Sequence, residues 1–179
     1  AIMNGMVLHG GIKPYGATFL VFNDYARNAV RLSALMGIPS IFVYTHDSVA
    51  LGEDGPTHQP IEHMVTLRST PNLNSWRPAD LVETAVAWNE AVKSKETPTC
   101  LIFSRQGTSA ISRTEDQLSL INKGGYLVDE SDNSDITLIA SGSEVQLVID
   151  AAKELKNYSI SANVVSMPSL DIFLQQSEE

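Results

Sequence analysis

The sequence is poor in cysteine, in positive charge and in long apolar runs. Cys100 is the single cysteine among 179 residues, which excludes an internal disulfide framework and predicts a reducing, cytoplasmic compartment. Lys and Arg total 12 against 21 Asp and Glu, a formal net charge of −9, so we expect no nucleic-acid partner, because phosphate binding needs a basic surface. No apolar run is long enough to span a membrane, so no membrane partner is expected.

The residues that are present are those of a globular protein, with 43% hydrophobic and 18% charged. Short apolar runs with the β-branched content of buried strands occur at residues 38–44, 99–103, 136–140 and 162–167. Amphipathic helix patterns separate them, at residues 22–33, 79–95 and 144–156. This alternation predicts an α/β fold with a mostly parallel, twisted sheet flanked by helices.

A polar segment at residues 114–135 divides the chain. It contains a glycine pair, an acidic run and one short strand at residues 126–128, and we interpret it as a linker. The sequence therefore predicts a first domain at residues 1–113 and the start of a second α/β domain at residues 136–179. The latter has too few elements to close a domain, so we expect a piece of a longer protein.

Ionisable residues follow two of the predicted strands. His46 comes just after the strand at 38–44, and Arg105 just after the strand at 99–103. Because ligands of parallel α/β sheets bind beyond the carboxyl ends of the strands, both are candidate site residues. The alternatives are a histidine that only hydrogen-bonds the strand end and an arginine in an exposed ion pair.

The run GEDGPTHQP, residues 52–60, is the densest polar segment. Its two glycines and two prolines fix turns with special backbone angles, which would hold Asp54 and His58 in place at low entropic cost. An acidic surface loop is the alternative. His58 and His63 are not one helical turn apart, as a zinc-binding pair is, so we predict no metal held by this chain.

Aromatic residues recur at every third position after Gly16: Phe19, Phe22 and Tyr25. On a helix they would form a strip that either joins the hydrophobic core or lines a flat pocket for an aromatic ring. No glycine-rich phosphate loop is present, so a dinucleotide-binding or P-loop enzyme is not predicted.

Taken together, these segments resemble the transketolase family. The resemblance is carried by TFLVFNDYARNAVRLSALMG, THDSVALGEDGPTHQP, SWRPAD, SRQ and ASGSEV, which begin at residues 18, 45, 75, 104 and 140. It extends through essentially all 179 residues in the family's order, and GEDGPTHQP is its most specific run. It implies that residues 1–113 are most of the middle, pyrimidine-binding domain, followed by the start of the C-terminal domain.

The resemblance implies an enzyme that moves a two-carbon ketol unit from a ketose phosphate to an aldose phosphate, with thiamine diphosphate as cofactor. It implies that Phe22 packs on the aminopyrimidine ring of the cofactor, and that Phe19 and Tyr25 complete the pocket. It also implies a homodimer with a composite active site and a divalent metal, Mg or Ca, whose ligands lie outside this chain.

The same resemblance implies roles for the polar candidates. His58 would be the catalytic residue, hydrogen-bonding the reacting oxygen of the donor sugar. Asp54 would accept a hydrogen bond from a sugar hydroxyl. His46 and Arg105 would hold the substrate phosphate.

In the transketolase family, a glutamate that activates the cofactor lies in an E-F-G-M run just upstream of a segment like Ala1–Gly5 of this chain. By motif neither Glu53 nor Glu62 replaces it, so we expect no turnover from the isolated 179 residues. Two alternatives stay open. One is another thiamine-diphosphate ketol transferase, of the dihydroxyacetone or deoxyxylulose phosphate synthase type, and the other is a non-catalytic binding or assembly module.

Overall fold

The computed structural model describes residues 1–177 and divides the chain into two compact units. The first contains Ala1–Trp76 and Ala87–Gly107, and the second contains Arg77–Val86 and Thr108–Glu179. Residues 178 and 179, which we predicted to belong to the second domain, lie outside the described residues. The predicted domain boundaries at 113 and 135 stay a prediction.

The first unit is built on a four-stranded parallel sheet. Its strands are β1 (Tyr15–Phe19), β2 (Ile41–Thr45), β3 (Asn74–Trp76) and β4 (Thr99–Ile102), in the order β1-β2-β4-β3. Each neighbouring pair runs parallel. The central strands β2 and β4 are buried along almost all of their length, which explains why they are continuous apolar runs in the sequence.

Residues 1–93 contain four α-helices, which are α1 (Ile2–His9), α2 (Asn23–Met36), α3 (His63–Arg68) and α4 (Leu81–Lys93). α2 ends at Gly37, whose φ of 63° lies in the left-handed region that glycine adopts readily at helix ends. The core of the first unit includes Leu20, Val30, Phe42 and Ile102, all buried. It therefore lies between the sheet and residues of α2.

The second unit has a three-stranded sheet. Its strands are β5 (Tyr126–Asp129), β6 (Ile136–Ala140) and β7 (Ala162–Ser166), in the order β5-β7-β6, and its further helices are α5 (Glu115–Leu120), α6 (Glu144–Leu155) and α7 (Leu170–Phe173). The β6–β7 pair is parallel and the β5–β7 pair antiparallel. Ala152, Ala162 and Val164 form its small core.

The predicted fold class is confirmed, since a mostly parallel sheet with helices precedes a second, smaller sheet unit. The five predicted strands are present, with ends within a few residues of the prediction. β1 and β3 were not predicted. Among residues 1–177, no helix combines the length and apolarity that a membrane crossing demands.

A buried polar network ties the start of α4 to other parts of the second unit. Arg113 Nη1 donates to Asp80 Oδ2 over 2.7 Å, and Arg113 Nη2 donates to Glu83 Oε1 over 3.2 Å. Tyr126 and Ser166 donate their hydroxyls to Glu83 Oε1, at 2.6 and 2.7 Å. The side chains of Arg113, Asp80 and Glu83 are at most 3% exposed, so these charges compensate one another away from water.

The network also changes the acidity of Asp80. Burial by itself raises the pKa of this carboxyl, but hydrogen bonds from Arg113 and from the backbone of Ile111 and Glu83 outweigh burial and hold the pKa below its ordinary value. Asp80 is therefore ionised in the folded unit at neutral pH.

Candidate functional site

Phe19, Phe22 and Tyr25 form one aromatic cluster, but they do not share a helix. Phe19 ends β1, Phe22 lies in a short 3-10 helix (Leu20–Phe22), and Tyr25 is in α2. The predicted helical strip is therefore wrong in its backbone. Phe19 immediately precedes the 3-10 helix and Phe22 is its last residue, while Leu20 between them is fully buried.

The rings of Phe19 and Phe22 are stacked, the ring of Tyr25 is tilted against Phe22, and all three are accessible. The centroids of Phe19 and Phe22 are 5.9 Å apart with planes only 7° apart, and those of Phe22 and Tyr25 are 6.0 Å apart at 56°. Tyr25 is 88% exposed, and Phe19 and Phe22 are half-buried. The cluster is therefore a surface feature and not part of the core, and it offers flat apolar faces to an aromatic ligand.

Two imidazoles extend the aromatic cluster. The ring of His46 stacks on Phe19 with a centroid distance of 3.8 Å. The ring of His58 stands edge-on to Phe19 at 5.9 Å and to Phe22 at 5.3 Å. The cluster thus carries two imidazole rings at its border.

His46 is held at the carboxyl end of β2 in an uncommon conformation. Its φ of 58° is left-handed, which is rare for residues other than glycine and is concentrated at functional sites. Its Nδ1 lies 3.0 Å from Thr45 Oγ1. His46 therefore contacts its strand neighbour and also lies beside Phe19 and Asp54, and its role in binding stays a prediction.

Asp54 lies between two basic groups. Its Oδ2 is 4.0 Å from His46 Nε2 and 4.0 Å from Arg105 Nε. The Asp54 side chain is 36% exposed and that of Arg105 is 44% exposed, so both face solvent. The arrangement places a carboxylate acceptor and a guanidinium with several donors beside the carboxyl ends of β2 and β4.

The loop that carries Asp54 and His58 depends on glycine geometry. Gly55 has φ 78° and ψ −176°, a combination that is essentially restricted to glycine, and a short 3-10 helix (Pro56–His58) follows it. Thr57 Oγ1 lies 2.8 Å from His58 Nδ1. Because Nδ1 is occupied, Nε2 of His58 is the nitrogen left for a ligand.

The structure brings every predicted site residue into one continuous group within the first unit. These are Phe19, Phe22, Tyr25, His46, Asp54, His58 and Arg105. Sequence reasoning missed Thr45 and Thr57, each of which approaches Nδ1 of the histidine that follows it. The repeated Thr-His dipeptide was the available signal.

A separate groove of about 690 Å³ is lined by residues of α1, β1 and α2, including Met3, Ala17 and Leu32. Among the described residues, Tyr25 is the one predicted site residue on its lining. The polar candidates therefore belong to the exposed cluster and not to this groove.

The fold defines an α/β domain with a parallel sheet, and the predicted site residues lie together in its first unit. The family description "Transketolase, pyrimidine binding domain" matches residues 1–109, and "Transketolase-like TK C-terminal domain" matches residues 124–179. The chain belongs to the transketolase family.

Named relatives and solved structures agree with this assignment. The chain is 58% identical to "Transketolase 1" of Vibrio parahaemolyticus over 177 residues, covering 98% of this chain and 27% of the relative. It is 55% identical to "Transketolase 2" of Aliivibrio fischeri over 179 residues, covering 99% and 27%. The chain thus spans about a quarter of the length of the curated relatives it matches.

Among solved structures, transketolase of Pichia stipitis in complex with sedoheptulose 7-phosphate superimposes with a TM-score of 0.92 at 48% identity, over 99% of this chain and 26% of that chain. Transketolase of Leishmania mexicana gives a TM-score of 0.92 at 44% identity, with the same coverage. A split-gene transketolase, described as an inactive β4 tetramer, gives 0.77 at 27% identity over 94% of this chain and 53% of that one.

Proposed function

We propose that this chain is the pyrimidine-binding part of a transketolase that transfers a two-carbon ketol unit between sugar phosphates with thiamine diphosphate. The observation that carries the proposal is the exposed aromatic cluster with the His58 ring edge-on to Phe22 at 5.3 Å. Flat rings that lie outside a hydrophobic core, beside a group able to move a proton, suit a heteroaromatic cofactor whose reaction needs proton transfer.

The aromatic cluster fits the aminopyrimidine part of thiamine diphosphate. Phe22 would stack on that ring, and Phe19 and Tyr25 would border it, because their own planes already lie offset or tilted at stacking distances. When bound, the cofactor supplies the electron sink for breaking the carbon–carbon bond. The protein's part is to hold the ring and exclude water around it.

His58 is the proposed proton carrier. With Nδ1 next to Thr57 Oγ1, Nε2 is free to donate to, or accept from, the reacting oxygen of the donor sugar. Proton transfer by a positioned imidazole contributes about 10²–10⁴-fold to a rate.

The polar edge is the proposed sugar-phosphate site. Asp54 would accept a hydrogen bond from a sugar hydroxyl and so discriminate against sugars that lack it in that position. His46 and Arg105 would bind the phosphate, Arg105 through paired donors. A complex of the Pichia stipitis enzyme with a sugar phosphate supports this choice of substrate.

The proposal includes a cytoplasmic homodimer of the pentose phosphate pathway, with a Mg or Ca ion and the diphosphate held by parts of the polypeptide outside this chain. Because the chain spans 27% of its relatives, the isolated 179 residues are expected to show no ketol transfer. The inactive split-gene transketolase supports that expectation.

The test is ketol transfer from xylulose phosphate to ribose phosphate by the full-length protein that carries this chain. His58→Ala should reduce kcat by about 10²-fold or more, since it removes the proton carrier. His9→Ala, at an exposed position on α1, is the matched control and should leave kcat unchanged. Equal rates for both variants and the parent would overturn the proposal for His58.

Product analysis separates the related chemistries. Formation of sedoheptulose phosphate with ribose phosphate as acceptor supports transketolase. A product formed with formaldehyde as acceptor would instead assign the chain to the dihydroxyacetone synthase type. A product formed from pyruvate and glyceraldehyde phosphate would assign it to the deoxyxylulose phosphate synthase type.

A further inference from the structure

We propose that Asp24, Glu62 and His63 form a site for a divalent transition-metal ion, with Zn²⁺ as the reference ion. The proposal is independent of the proposed function, because it uses none of the residues assigned to cofactor or sugar. It differs from the sequence prediction of no metal held by this chain, since Asp24 and His63 come from separate helices and match no spacing motif.

The three side chains converge at the amino-terminal ends of α2 and α3. One ligand atom from each of Asp24, Glu62 and His63 can be chosen so that all lie within 4.8 Å of one another. His63 Nε2 is 3.3 Å from Asp24 Oδ1, and His63 Nδ1 is 4.0 Å from Glu62 Oε2. Ligand atoms about 2.0–2.1 Å from a tetrahedral Zn²⁺ are about 3.3 Å apart, so the Asp24–His63 spacing already suits the ion.

His63 is the second, independent observation. It is 3% exposed, and within residues 1–177 neither of its ring nitrogens makes a hydrogen bond. Buried polar atoms are nearly always bonded, because leaving one unpaired costs free energy. A metal ion bound to one ring nitrogen satisfies that atom and explains why a carboxylate lies beside it.

The donor set selects the type of ion. Imidazole favours Zn²⁺, Co²⁺ and Ni²⁺, whereas Mg²⁺ and Ca²⁺ prefer sites made entirely of oxygen. The Asp24 and Glu62 side chains are 61% and 66% exposed, so an ion can enter from solvent and both carboxylates can adjust to it. Three protein ligands also leave a position for water.

The experiment is calorimetric titration with ZnCl₂ of the full-length protein that carries this chain, with Mg²⁺ and thiamine diphosphate present in excess to saturate any other divalent site. The parent should bind Zn²⁺ saturably. His63→Gln and Asp24→Asn should each weaken that binding at least about tenfold, since loss of even an outer-shell partner costs that much. Substituting Co²⁺ should give a visible absorption band that both variants lose.

His9→Gln is the control, because His9 is exposed and lies outside the cluster. It should bind Zn²⁺ as the parent does. Because Asp24 is at the surface, Asp24→Asn is expected to fold even if His63→Gln does not. Thermal melting checks the fold of both variants. Absence of Zn²⁺ binding by the parent, or the same affinity in Asp24→Asn and His63→Gln as in the parent, would overturn the site.

Discussion

Asp54 lies close to two basic side chains but forms no hydrogen bond with either. Its Oδ2 is 4.0 Å from both His46 Nε2 and Arg105 Nε, which is too far for a hydrogen bond. The donors of both basic side chains therefore stay available to a ligand. This arrangement is compatible with the proposed substrate, which carries both a hydroxyl and a phosphate.

The substitution Arg105→Lys tests the proposed role of Arg105 in binding the substrate phosphate. Lysine keeps the charge but loses the planar fork of donors, so KM for a phosphorylated donor sugar should rise about tenfold or more while kcat changes little. Steady-state kinetics of the full-length protein measure both constants. Arg31→Lys, on the exposed face of α2, is the matched control. An unchanged KM in Arg105→Lys would contradict the assignment of Arg105 to phosphate binding.

At the scale of single residues, the sequence predicted which side chains lie close together but not the geometry of their contacts. His46 and Arg105 were found because each follows an apolar strand, and parallel strands bring their carboxyl ends to one edge. The stacking of His46 on Phe19 has no local signal, because it depends on the β1–β2 pairing that places Phe19 opposite Thr45.

Among the elements, the loop that precedes His58 depends on the backbone conformation of one glycine. At Gly55, φ 78° and ψ −176° suit no other residue well. Gly55→Ala should lower the free energy of unfolding by about 1–3 kcal/mol, because any side chain strains that backbone. It should also reduce activity by displacing Asp54 and His58. Denaturant unfolding and steady-state rates measure the two effects.

Gly107→Ala is the control for Gly55→Ala. An added Cβ there meets nothing within 4 Å, and no left-handed φ occurs at Gly107. Its stability and rate should match the parent. If Gly55→Ala behaved in the same way, the loop would not depend on this backbone conformation.

In the first unit, sheet position explains which strands the sequence predicted. β2 and β4 are central and buried, so they stand out as apolar runs. β1 and β3 lie at the edges of the sheet, and β3 has only three residues, with a polar Asn-Ser start. The spacing of three between the aromatic residues is typical of a helix. No local sequence pattern indicates that the chain changes from a strand to a 3-10 helix between Phe19 and Phe22.

For the whole molecule, acid stability depends on the network around Asp80. The folded pKa of Asp80 lies below its ordinary value, so ionised Asp80 stabilises the fold above about pH 4 and that stabilisation is lost as pH falls through the folded pKa. Asp80→Asn should cost about 1–3 kcal/mol at neutral pH, because Arg113 loses the charge of its closest carboxylate but keeps Glu83. The difference from the parent should shrink below about pH 4.

Unfolding curves in urea from neutral to acidic pH measure this difference. Asp132→Asn, at an exposed position, is the matched control and should follow the parent at each pH. A difference between Asp80→Asn and the parent that stayed constant down to pH 3 would contradict the assigned protonation. The network itself was not predictable, because Asp80, Arg113 and Ser166 are distant in sequence and meet only in the folded unit.

The central claim is that the exposed aromatic cluster binds the pyrimidine of thiamine diphosphate. The most direct measurement is the Kd of thiamine diphosphate for full-length Phe22→Ala, beside Tyr158→Ala, an exposed aromatic in the second unit. Stacking on an aromatic side chain contributes about 1–3 kcal/mol for a nucleic-acid base, so Phe22→Ala should raise Kd about 5- to 150-fold while Tyr158→Ala leaves it unchanged. A Kd for Phe22→Ala equal to that of the parent would contradict the account.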